Sequence, residues 1–81
     1  MTDQDLREAI LAQVHRLRPG TTCCPSEVAR GLSLDWRPLM EPLRKAAAGL
    51  AREGQVRILQ RGLPADPDAL RGPIRLGKPE G

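Results

Sequence analysis

The residues most able to ligate a metal or act as nucleophiles here are the adjacent Cys23 and Cys24 and the single His15. A zinc site takes four ligands, usually from spaced pairs such as CxxC, and nothing else in the sequence completes such a set, so no metal is expected. Neighbouring cysteines do not close an ordinary structural disulfide, and free thiols fit a reducing cytoplasm. Pro25 opens a helix directly after Cys24, and a helix N-terminus lowers the pKa of a nearby thiol. A thiol sensor therefore stays open beside the plainer arrangement of one buried cysteine and one at the rim. Catalysis finds less to work with: one His, no carboxylates paired on one face and no phosphate-cradling glycine loop. The chain reads as a non-enzyme with no cofactor and no small-molecule substrate.

Cations are the chemistry that the sequence does concentrate. Residues 1–35 hold five acids and four bases, whereas residues 36–81 hold five acids and nine bases, so the net charge of +3 lies entirely in the second half. Arg37, Arg44, Lys45 and Arg52, with Glu41 and Ala48, fall on the side of a helix opposite its apolar stripe. Arg and Lys there can reach phosphates or guanine edges in a major groove, and Ala48 and Gly49 let a helix approach closely. Arg61, Arg71 and Arg75, with Arg57 and Lys78 nearby, belong to a C-terminal hairpin, from which a wing grips phosphate. These two sets are the candidate nucleic-acid-binding residues. The same pattern also suits a solvated helix face with Glu41 paired to Arg44 or Lys45, and edge strands charged against aggregation. The only aromatic is Trp36, so base stacking on single strands has no platform. Trp36 is expected to be a buried anchor between the second and third helices.

The elements that must position these residues follow from periodicity. Leu6, Ile10, Val14 and Leu17 predict helix one over residues 3–17, with Thr2 and Asp5 as a capping box and Pro19-Gly20 as the stop. Residues 21–24 read as a short extended segment. Pro25 and Glu27 start helix two, residues 25–32, whose apolar stripe is Val28, Ala29 and Leu32. Asp35 is the expected N-cap of helix three, residues 36–53, with the stripe Trp36, Leu39, Met40, Leu43, Ala46, Ala47 and Leu50. Pro42 predicts a kink or a tightened first turn, and Gly54 the C-terminal cap. From residue 55 the period is two: Val56, Ile58 and Gln60 face one way, and Arg57, Leu59 and Arg61 the other. Gly62, Pro64, Asp66-Pro67 and Gly72-Pro73 punctuate a long loop, with room for one helical turn at 68–71, before Ile74-Arg75-Leu76 returns as a strand.

These elements predict one domain over residues 1–81, ordered from about 3 to 77, with a frayed tail at 78–81. The fold class is mostly α with a small β-hairpin (α+β): a winged helix-turn-helix of three helices plus a C-terminal wing. A plain three-helix bundle leaves Val56, Ile58, Ile74 and Leu76 without a core. The acidic start lacks a basic n-region, and no apolar run is long enough for a signal or a membrane span, so a cytoplasmic location is expected.

Three segments, Cys24-Pro25-Ser26-Glu27-Val28-Ala29-Arg30, Trp36-Arg37-Pro38-Leu39-Met40 and Gly72-Pro73-Ile74-Arg75-Leu76, resemble a small bacterial family known as domain of unknown function 3253. The resemblance runs over about residues 4–77. It implies a short stand-alone bacterial protein and supplies no activity or functional residue to carry over. The residues themselves point to double-stranded DNA as the partner, gripped by helix three and the wing. The alternative is a protein-interaction module of the same fold, docking an acidic protein partner.

Overall fold

In the computed structural model, which describes residues 1–79, Thr2 and Asp5 open α1 (Asp3–His15) as a reciprocal cap. The Asp5 N–H donates to Thr2 Oγ1 at 3.1 Å and the Thr2 N–H to Asp5 Oδ2 at 3.0 Å. The Thr2 backbone N–H, helped by the Thr2 side chain, favours the ionised form and holds the Asp5 carboxyl below the usual range. The helix stops at His15 rather than 17 because Arg16 and Leu17 turn back onto Gln13 and Val14 in tighter i→i−3 bonds ahead of Pro19. Strand β1 (Thr22–Cys23) follows, then α2 (Pro25–Leu32) over the expected span. Its entry is closed by the Glu27 carboxylate, which accepts from the Cys24 N–H at 2.8 Å.

Helix three begins differently from the expectation. Arg37–Leu39 form a 3-10 turn, and α3 proper is Met40–Arg52. This is a tightened start of the kind expected from Pro42, which becomes the third residue of α3, where an N–H has no intrahelical partner anyway. Asp35 does not cap the helix, and its own N–H donates instead to Ser33 Oγ at 3.2 Å. A cap at 35 would draw on the N–H of residue 37 or 38, and Pro38 removes one of the two. The far end closes as expected on Gly54 at φ +75°, with Gln55 N–H bonded to the Leu50 carbonyl and Gly54 N–H to that of Ala51.

The β structure is more than the expected hairpin. Strands β2 (Arg57–Gln60), β3 (Leu63–Pro64) and β4 (Arg75–Gly77) join β1 in one antiparallel sheet of order β1-β4-β2-β3. Arg61 and Gly62, at φ +53° and +79°, make a two-residue turn between β2 and β3, the signs required by a type I′ hairpin. The chain then crosses back so that β4 pairs with the other edge of β2, with Ile58 opposite Leu76. Residues 68–71 form no helix. Gly77 closes β4 as a buried residue, and the Lys78 carbonyl accepts from Arg57 Nε at 2.7 Å, so the tail is anchored at its first residues. Residues 80–81 of that expected tail lie outside the described residues.

The core joins Leu6, Ile10 and Val14 of α1 with Val28 and Ala29 of α2 and with Leu43, Ala46, Ala47 and Leu50 of α3. Ile58, Leu76 and Cys23 supply the sheet side. The helices thus cover one face of the sheet. Leu59, expected to face out with Arg57 and Arg61, is only 7% exposed. It shares a groove with Gly72 and Pro73, whose segment shields it from water. Among the described residues no helix is long and apolar enough to cross a membrane.

Candidate nucleic-acid interface

The loop 65–73 organises the candidate residues. It crosses the outer side of α3 and is tied there by two of the cations expected to contact DNA. Arg52 donates to Asp68 Oδ1 from Nε at 2.7 Å, with Nη2 at 2.5 Å, and Arg44 Nη1 donates to the Gly72 carbonyl at 2.9 Å. Arg44, Lys45 and Arg52 line one groove with Glu41, Pro67 and Leu70. Ala48 belongs to the same groove and is buried, 6% exposed, so it offers no open approach to a ligand backbone. Gly49 lies beneath the Arg7 guanidinium, against which a Cβ at that position would collide. Both corrections have one cause: loops and long side chains settle on helix faces that periodicity alone marks as open. Lys45 stands 4.0 Å from Glu41, both well exposed, a spacing that contributes little.

A second groove lies on the other side of the loop, lined by Arg61, Arg71 and Arg75 and containing no carboxylate. Arg75 is fixed across the sheet: Nε donates to Thr22 Oγ1 at 2.7 Å and Nη2 to the Thr22 carbonyl at 2.9 Å. The Gln60 amide donates to the carbonyls of Arg71 and Pro73 and so braces the groove wall. Of the seven candidate cations, six therefore flank one loop in two sets of three. The seventh, Arg37, sits apart, its guanidinium 4.9 Å from the centre of the Trp36 ring.

Residues 3–79, nearly the whole chain, match the family described as Protein of unknown function (DUF3253). The chain belongs to that family. No curated protein matches it.

The remaining candidates of the DUF3253 domain are placed as follows. Trp36 is not enclosed in the core but packs against its margin, with Arg30 at 4.8 Å from the ring centre in addition to Arg37. Cys23 is buried, and burial, reinforced by the charge of Glu27, pushes its thiol up rather than down. Cys24 is partly buried at the N-cap of α2, where its Sγ accepts from Ser26 Oγ at 3.0 Å. His15 is exposed on α1, and among the described residues no three of His, Cys, Asp or Glu gather as metal ligands would. Sequence reasoning missed Gln60, Thr22 and Asp68 as partners of the cations. Asp68 falls in the long punctuated loop, and nothing in a single sequence pairs it with Arg52.

Proposed function

We propose that this domain binds double-stranded DNA as a winged helix-turn-helix, with α2 and α3 as the helical pair and β2, β3 and β4 as the wing. The observation that carries the reading is the pair of cation-lined grooves on either side of loop 65–73. Guanidinium groups lining grooves on both sides of that loop suit a phosphate backbone, which dominates duplex affinity. A guanidinium has five N–H donors, so Arg44 and Arg52 keep some for phosphate after bonding the loop. Because the loop overlies the outer face of α3, the duplex is held mainly by phosphate contacts, which position without reading sequence.

The test is an anisotropy titration with a labelled random duplex. Between about 50 and about 200 mM salt, affinity should fall by at least roughly a hundredfold, as expected for several phosphate contacts. Absent or salt-insensitive binding at low salt overturns the reading. Such a result would favour an acidic protein partner, for which fully exposed Leu34, in the turn between α2 and α3, is a ready apolar anchor.

A further inference from the structure

We infer that the groove between the β2–β3 turn and residues 71–75 is a discrete site for one phosphate group. In a duplex that group is a backbone phosphodiester, so the source of the phosphate rests on the reading above, while the site itself does not. Arg61, Arg71 and Arg75 line the groove, and no acid does. Among the described residues the side chains of Arg61 and Arg71 have no protein acceptor, and Arg75, anchored on Thr22, keeps Nη1 for a ligand. Carbonyl oxygens would repel a phosphate, yet three in succession are occupied: Gln60 donates to those of residues 71 and 73, and Arg44 to that of Gly72. Gly72, at φ +71°, sets the backbone that makes this possible. Leu59 adds a dry floor, and lower local polarity strengthens a guanidinium–phosphate pair.

Arg61 supplies an independent sign. It is the only non-glycine residue with positive φ among the described residues, and it fills the first position of the turn, where Asn or Gly sits at less cost. A cation is kept there at the expense of the turn.

That same feature makes a clean test. Arg61→Asn gives the turn its favoured Asn-Gly pair, and Arg71→Gln spares the carbonyl that Gln60 holds, so the double variant keeps the fold while losing two cations. Amide NMR of the full chain is titrated with inorganic phosphate and, separately, with glycerol phosphate as a monoester. Saturable shifts confined to residues 59–62 and 71–75, lost in the double variant, support the site. Equal shifts around Arg16 and Arg18, just past α1, or shifts that survive in the variant, overturn it. With the duplex, the variant should lower the log–log salt slope by roughly one, for the one phosphate held in the groove. Phosphate bound in the groove without any duplex affinity upholds the site and ends the DNA reading, leaving a phosphomonoester as the source. Duplex binding with an unchanged slope, together with no confined shifts on adding phosphate, upholds the DNA reading and ends the site.

Discussion

Trp36 is the only aromatic ring in the chain, and two guanidiniums lie within 5 Å of its centre. Cations over an indole face are attracted by its quadrupole, and the interaction gains when part of the ring is withdrawn from water. Arg30 and Arg37 thereby complete an environment that the core completes only on one side. The ring sits at the margin because residues 37–39 wind at three residues per turn, which breaks the α-helical phase between Trp36 and the buried Leu43. Trp36→Ala should therefore cost about 2 kcal/mol, less than the roughly 3–5 kcal/mol of a fully enclosed aromatic. Denaturant unfolding followed by circular dichroism measures this. A variant unfolded in water would return Trp36 to the role of core anchor.

At the scale of elements, α1 and α3 are fastened by a charged clasp over their packed faces. Arg7 donates from Nε to Asp3 at 2.9 Å and from Nη1 to Glu53 at 2.7 Å, passing over Gly49. The hydrogen bond from Arg7, with help from Gln55, holds the Glu53 carboxyl below the usual carboxylate range. A depressed carboxyl pKa contributes stability that is whole above that range and vanishes as pH falls through the depressed value. Glu53→Gln should melt below the natural protein at about pH 7, and the gap should narrow as pH falls below the usual carboxylate range; a constant gap would show that the clasp is not electrostatic. Elements with a local signal were legible in the sequence: α2 from Pro25, the cap at Thr2 and Asp5, the close on Gly54 and the stripe around Leu43. The β2–β3 turn was not, because Arg-Gly lacks the Asn-Gly signature of a tight hairpin. Ala48 and Leu59 were misplaced because their burial comes from a loop, and loops dock without periodicity. For the candidate site, the cations were legible by type, whereas their division into two grooves required knowing where residues 65–73 cross.

Across the whole molecule, loop 65–73 joins the sheet to the outer side of α3, and the duplex would meet both there. Its hold on α3 is light, an exposed ion pair at Asp68 and one arginine-to-carbonyl bond at Gly72, with Leu70 packed beneath. Exposed ion pairs of this kind are worth little in water. Asp68 thus acts mainly on the field: it occupies two donors of Arg52 and places a negative charge among Arg44, Lys45 and Arg52. If phosphates are held by these cations, removing that charge should help them. Asp68→Asn keeps an oxygen for Arg52 and changes only the charge, so the fold should be preserved. The variant should bind a random duplex about fivefold more tightly at low salt, with a log–log slope steeper by about one. Glu8→Gln, at an exposed position of α1, is the matched control for the loss of one acidic charge. Unchanged affinity for Asp68→Asn, with an intact fold, would mean that the α3 groove does not face the duplex and that any binding belongs to the wing alone.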